Sequence, residues 1–297
     1  MAERPTGHGV SPSDRRGELL TLAQGEAAAR RPADLLAQWA DDATVRPSQL
    51  DQRTLTRYDQ LAFDSSPEYD AVLLSPVAPV GTNSVVAPTS QNRTLTTIRG
   101  SEVVSDPTNV LALECARRLR VAPREHVRLC TAHQVLRMQP VAPRPGLTRH
   151  FRLFSLADAG WSRADDGFEV AAIVAQLTVY RRLLDAAART LGLEWERPVA
   201  VVRTDGRRPA IAHRLADALH ADQPDLDIRP EALESTYYDG LRVGYAVHGR
   251  DGELREWVDL GVFDWVAQLT SNAKQRFVAS AIGLQLLPQL GAATSDP

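Results

Sequence analysis

The residue types most able to bind metal or act as nucleophiles are badly spaced for either task in this chain. Seven histidines are scattered, and none forms a metal-ligand pair such as HExxH; His213 and His220, seven apart on one predicted helix, read as a surface stripe. Cys115 and Cys130 make no CxxC and lie in apolar stretches, as small buried thiols of a reduced protein do. There is no Walker loop, no GxGxxG and no GxSxG elbow, so nucleotide-loop and serine-hydrolase chemistry have no support. What remains are carboxylates and guanidiniums at the ends of elements. Asp106 precedes Pro107 and the periodic run Val110, Leu113, Arg117, where its carboxylate accepts the free N–H groups of a helix start. Arg137 ends an alternating run, Val127, Leu129, Thr131, His133 and Val135, on one face of a strand. By itself it reads as a strand arginine paired with a neighbouring acid.

The scaffold for these side chains is an ordinary globular one. The 297 residues are 43% hydrophobic and 24% charged, which excludes disordered, collagenous and disulfide-built classes. Lys and Arg number 34 against 37 Asp and Glu, so no strong field draws the surface to nucleic acid or anionic lipid. The polar start MAERPTGHGVSPSDRR has no apolar signal core, and Val170–Ala175 and Phe277–Leu287 are too short or interrupted to cross a bilayer. A cytoplasmic protein without a membrane partner is expected.

Residues 1–16 read as a flexible tail, 17–287 as one domain, and 288–297 as a second tail. Two short helices fill Gly17–Ala40, divided at Arg31-Pro32, and a polar stretch follows around Ser48–Arg57. Tyr69–Val77 reads as a strand, 78–92 as loop, and Arg93–Ile98 as a strand. Val127–Met138 and Arg149–Ala157 form a hairpin with a mobile Pro/Gly-rich tip. A long helix runs from Phe168 to Leu191, behind Asp165 and Asp166, and stops at Gly192. Pro198–Val202 is a strand, Pro209–His220 a helix, and Arg242–His248 pairs with Leu254–Phe263 across an Asp-Gly turn. Asn272–Leu287 has the pattern of an amphipathic helix. The class is α+β, a mainly antiparallel sheet flanked by helices.

An ordered set of segments resembles the catalytic core of class II aminoacyl-tRNA synthetases, specifically the histidyl type and its paralogue, the regulatory subunit of ATP phosphoribosyltransferase. YDAVLLSPVAP looks like motif 1, a strand ending at Pro76 that in the family builds a two-fold interface, so the resemblance implies a homodimer. LTTIRGSEVVSDPTNVL is similar to the LRPEGT segment. Asp106 then stands where the family holds the α-ammonium of an amino acid, with Thr108 beside it. VRLCTAHQVLRMQPVAPRPGLTRHFRLFSL resembles motif 2. There Arg137 takes the place of the α-phosphate arginine, Gln139 that of its companion glutamate, and Arg149-His150-Phe151 the run resuming the second strand. ALESTYYDGLRVGYAVHG is similar to the histidine-recognition segment, with Tyr237, Tyr238 and Gly240 matching and Leu233 replacing its arginine. WVDLGVFDWVAQLTSNAKQRFVASAIGLQLL resembles motif 3, but its closing Glu-Arg is Gln285-Leu286.

The resemblance therefore implies amino-acid binding at Asp106, Thr108, Tyr237 and Tyr238, and nucleotide or phosphate binding at Arg137, Gln139 and Arg149. It implies no metal ligand, and the cofactor it allows is ATP with Mg. Two guanidiniums that stabilise in-line attack on the α-phosphorus are gone, with Lys274 and Arg276 as candidate substitutes, so ordinary tRNA charging is not expected. No segment corresponds to an anticodon-binding domain. The expected function is a synthetase paralogue that binds an amino acid or related metabolite and serves as a regulatory or assembly subunit of a catalytic partner. The alternative is a stand-alone ligase or aminoacyl transferase, activating an amino acid for a carrier protein, small amine or biosynthetic product.

Overall fold

The structure is a computed structural model that describes residues 11–140, 148–195, 198–248, 252–289 and 292–293. Helices α1 (Pro12–Ala28), α2 (Pro32–Asp41) and α3 (Gln52–Asp64) come first, then the short strands β1 (Asp70–Ala71), β2 (Val77–Pro79) and β3 (Ser101–Val103). Helix α4 (Pro107–Val121) leads into β4 (Val127–Leu136) and β5 (His150–Trp161). The long helix α5 (Gly167–Leu191) is followed by β6 (Leu193–Glu194), β7 (Val199–Thr204), α6 (Pro209–Asp222) and β8 (Asp227–Ala232). The chain ends with β9 (Leu241–His248), β10 (Leu254–Phe263), α7 (Trp265–Thr270), β11 (Gln275–Gly283) and β12 (Ala292–Ala293).

Eight strands form one sheet in the order β1-β4-β5-β11-β10-β9-β7-β8. Only the outer pairs β1–β4 and β7–β8 are parallel, so the sheet is mixed and mostly antiparallel. Because side chains alternate along a strand, the central strands feed two cores. On one face Phe154, Leu156, Val258, Leu260, Val278 and Ile282 meet Phe168, Ile173, Leu177 and Tyr180 of α5. On the other, Val127, Leu129, Ala157, Ala159 and Phe277 meet Leu111, Cys115 and Leu119 of α4 and Trp265 of α7. Among the described residues, no helix is long and apolar enough to cross a membrane.

This two-sided burial overturns the helix expected at Asn272–Leu287. The stretch from Gln275 to Gly283 is the central strand β11, followed by a 3-10 turn over Leu284–Gln289. A strand covered on both faces is apolar at successive positions, and in QRFVASAIG that run imitates helical spacing. Other boundaries move as well. Helix α1 starts at Pro12, inside the expected tail, with Ser11 accepting from the Asp14 N–H at 3.1 Å. The polar stretch Ser48–Arg57 contains the start of α3, where Asp51 accepts from Arg53 and Thr54 N–H groups, and a narrow stripe of Tyr58 and Ala62 anchors the helix. Of Tyr69–Val77 only Asp70–Ala71 pairs with β4 and only Val77 belongs to β2, while Leu73 is 98% exposed. Within Arg93–Ile98 only Thr96 makes a bridge, to Glu102; the strand is β3. In the expected C-terminal tail, β12 pairs with β6. The tip between β4 and β5, residues 141–147, lies outside the described residues.

One buried carboxylate ties the layers together. Asp158, fully buried in β5, accepts from the Tyr69 hydroxyl and the Gln176 amide, each at 2.8 Å. Its other oxygen meets His126 Nε2 at 2.8 Å and Arg128 Nε at 3.3 Å. Burial, and then the charge of Asp158, hold the Tyr69 hydroxyl protonated far above the ordinary tyrosine range. Replacing Asp158 with Ala leaves the Tyr69 and Gln176 donors unpaired inside the protein and takes the carboxylate from His126 and Arg128. Chemical denaturation is expected to show a loss of about 3–5 kcal/mol; a loss within about 0.5 kcal/mol, as at an ordinary surface site, would contradict the role.

Candidate functional site

The sheet face that carries α4 is not covered along its whole length. Beyond the part that α4 packs on, Phe151 and Leu153 of β5, Ala279 and Ala281 of β11 and Gly261 of β10 line a cleft of about 550 Å³. Six of the seven residues assigned to a site from sequence line it: Asp106, Thr108, Arg137, Gln139, Tyr237 and Tyr238. Arg149 does not. Its carbonyl accepts from the Arg137 N–H at 2.8 Å, and its guanidinium acts on Asp42, just past α2.

Asp106 is the helix cap that its place before Pro107 predicts. Oδ1 accepts from the Thr108 N–H at 3.0 Å and from the Thr108 hydroxyl at 2.8 Å. Thr108 thus fixes the carboxylate's orientation. Oδ2 is spent on no backbone group and faces Arg137 Nη2 at 3.5 Å, a long contact. Arg137 donates from Nε to the Ser105 carbonyl at 3.0 Å and lies 5.1 Å from the ring centre of Phe151, in cation–π range. Gln139, with its amide oxygen turned toward Arg93, accepts from Nε at 2.5 Å and Nη2 at 3.0 Å.

The tyrosine pair forms the other wall. Tyr237 packs edge-on against Tyr238, Phe263 and Trp265, with ring centres 5.0, 5.5 and 5.6 Å away. Tyr238 turns its hydroxyl to Asp259 Oδ2 at 2.6 Å. Burial, then the charge of Asp259, hold that hydroxyl protonated well above the ordinary tyrosine range. Asp259 also takes Arg242 Nε at 2.9 Å, and Arg242 Nη2 reaches Glu256 at 2.9 Å. Burial opposes the charge on Arg242, but Asp259 and Glu256 outweigh it and hold the guanidinium firmly protonated. Arg242 stands opposite Gly261 and Asp259 opposite Gly244, so the two side chains are diagonal neighbours, and Tyr238 and Glu256 fill the places beside the glycines.

Arg93, Arg242, Glu256 and Asp259 are the charged cleft residues not assigned to a site from sequence. The substitute charges proposed for motif 3 are elsewhere. Arg276 Nε pairs with the buried Glu169 at 3.1 Å, and Lys274 sits in the turn made by Asn272; neither lines the cleft. At the corresponding end of the cleft stand Gln285, whose side chain accepts from the Arg152 N–H at 3.0 Å, and Leu286. Leu233, in place of the recognition arginine, is buried, and its N–H donates to the Thr204 carbonyl. Among the described residues, no group of three or more His, Cys, Asp or Glu is arranged to hold a metal ion.

No protein-family model matches the sequence, and no curated protein does. Solved structures do. An ATP phosphoribosyltransferase regulatory subunit/histidyl-tRNA synthetase from Bacillus halodurans superposes with a TM-score of 0.58 at 12% identity, over 82% of this chain and 80% of that one. The apo histidyl-tRNA synthetase of S. aureus gives 0.60 at 12% identity, over 83% and 68%. A histidine–tRNA ligase subunit from Alicyclobacillus acidocaldarius gives 0.59 at 14% identity, over 88% and 96%. The chain has the class II synthetase-like α+β fold.

Gly261 is required by the closeness of Tyr238. A Cβ on Gly261 would lie 2.2 Å from Tyr238 Cδ1, which no real contact tolerates. Gly261→Ala is expected to lower stability by about 1–3 kcal/mol through this overpacking. In a Tyr238→Ala background the same substitution should cost clearly less when both pairs are followed by denaturant titration. Equal costs in the two backgrounds would show that the ring is not the constraint.

Proposed function

We propose that this protein is a synthetase-like paralogue that binds an amino acid or related small metabolite in the cleft and acts as a regulatory or assembly subunit. The observation that carries the reading is the division of the cleft's chemistry. Asp106 Oδ2 and Arg137, a carboxylate lobe and a guanidinium at long range from each other, face the same space beside Tyr237 and Tyr238. A ligand ammonium on Oδ2 and a ligand oxyanion on Arg137 would each gain a charge-assisted hydrogen bond shorter than the 3.5 Å contact they replace. The groups that neutralise a triphosphate during activation have no counterpart at Leu233 and Leu286. Losing them removes transition-state stabilisation more than ground-state binding.

A subunit of this kind works by binding a partner differently when its cleft is filled and when it is empty. The superposed Bacillus halodurans protein, whose name includes a regulatory subunit, supports that part of the reading. A homodimer is supported by apolar side chains left in solvent around the motif 1-like segment: Leu73, Val77, Val80, Val85 and Leu95. The alternative, a ligase or aminoacyl transferase serving a carrier protein or small acceptor, is favoured by one observation, the retention of Arg137 in the cleft.

The direct test is calorimetric titration with each standard amino acid. Wild-type protein is expected to bind at least one. Asp106→Asn keeps a capping oxygen and should retain the thermal midpoint, but should lose about tenfold or more in affinity, because an amide cannot neutralise an ammonium. Unchanged affinity in both Asp106→Asn and Arg137→Ala would place the ligand outside this cleft.

A further inference from the structure

Arg93 lines the cleft and is half-buried, yet among the described residues it has no carboxylate within ion-pair distance. Its partner is the neutral amide of Gln139. The Met138 N–H donates to the Arg93 carbonyl at 3.0 Å, which fixes Arg93 alongside the end of β4. Arg93, Arg137 and Gln139 all line the cleft and the polar recess beside Asp106. Arg93, held on Gln139, therefore faces the same space as Arg137. Two guanidiniums thus line one end of the cleft with two acids: Asp106, half of which is spent on capping α4, and Asp259, which is already held by Tyr238 and Arg242. An excess of positive charge beside a low-dielectric wall of Phe151 and Leu153 is a receptor for a small oxyanion.

We infer that Arg93 is a second oxyanion receptor in this cleft, with Gln139 as its resting partner, so that the ligand carries a carboxylate or phosphate bridged by Arg93 and Arg137. The inference rests on the reading of the cleft as a ligand site and adds the chemistry it selects. The amide of Gln139 matters because it is neutral. A glutamate there would form a two-pronged ion pair with Arg93 and silence it, whereas the amide yields to any anion that binds the fork better. The replacement of a motif 2-like acid by Gln139 then opens an anion site in addition to removing a group.

The test is isothermal titration of the full chain at low ionic strength, with inorganic pyrophosphate in one arm and succinate in the other. Wild-type protein is expected to bind at least one probe, and the tighter arm tells phosphate from carboxylate. Arg93→Gln and Gln139→Glu should each weaken binding by about tenfold or more, the loss of one charge-assisted pair. Gln139→Ala, which removes the competing amide but not the charge, should bind as well as wild type or better. Circular dichroism of each variant separates these effects from unfolding. Unchanged affinity in Arg93→Gln and Gln139→Glu, or a wild type that binds neither probe at millimolar concentration, overturns the inference. If Arg137→Gln weakens binding while Arg93→Gln does not, the ligand-site reading stands and this inference falls. Loss in Arg93→Gln by a protein that binds no amino acid would keep the oxyanion site and remove the amino-acid reading.

Discussion

The carboxylate of Asp106 has two oxygens, and the fold uses them differently. Oδ1 closes the start of α4 through Thr108, and Oδ2 looks across to Arg137 at the end of β4. The cap fixes where α4 begins, and so how much of the sheet the helix covers. Everything beyond that point on the same face is cleft. The Arg137 guanidinium is held by the Ser105 carbonyl, one residue before the cap, so the charged pair and the helix start move as a unit. A carboxylate that only capped would turn both oxygens to the backbone; one that only bound a ligand would leave the helix N–H groups open.

The opposite wall obeys a different constraint. Arg242 and Asp259 lie diagonally across β9 and β10, each facing a glycine on the neighbouring strand. The glycines give up side-chain packing and admit the Tyr238 ring and the Glu256 carboxylate at distances that a Cβ would forbid. Tyr238, Asp259, Arg242 and Glu256 then satisfy one another. The cleft thus holds a mutually paired set around Asp259 and two guanidiniums, Arg93 and Arg137, of which, among the described residues, only Arg137 meets a carboxylate, at 3.5 Å. A site that binds and releases a small polar molecule needs both such an imbalance and rigidity.

Much of this was legible in the sequence wherever local chemistry determines local structure. Asp106-Pro107 gave the start of α4, Gly192 the end of α5, and the alternation of Val127 to Val135 the strand β4. The pairing of β9 with β10 was expected across Gly249-Arg250-Asp251-Gly252, of which 249–251 lie outside the described residues. The order of segments brought Asp106, Arg137, Tyr237 and Tyr238 to one cleft although they are far apart in the chain. The failures have physical causes. Strand β11 is buried on both faces, which erases the period of two, and α3 buries only a narrow stripe under a polar sequence. Arg242 and Asp259 could not be matched because a bulge between Glu256 and Val258 shifts the pairing by one residue. Arg93 was hidden for the same kind of reason, since its partner Gln139 is set by how two loops meet. Arg149 follows the motif in sequence, but it does not line the cleft.

Under the proposed function this cleft holds a small ligand and does not activate it. Amino-acid-dependent ATP–pyrophosphate exchange measures activation and nothing else. Run over all standard amino acids with purified protein, including any that binds by calorimetry, it is predicted to show no exchange above the ATP-only background. Exchange with one amino acid, abolished by Arg137→Ala, would contradict the account and make the protein an activating enzyme.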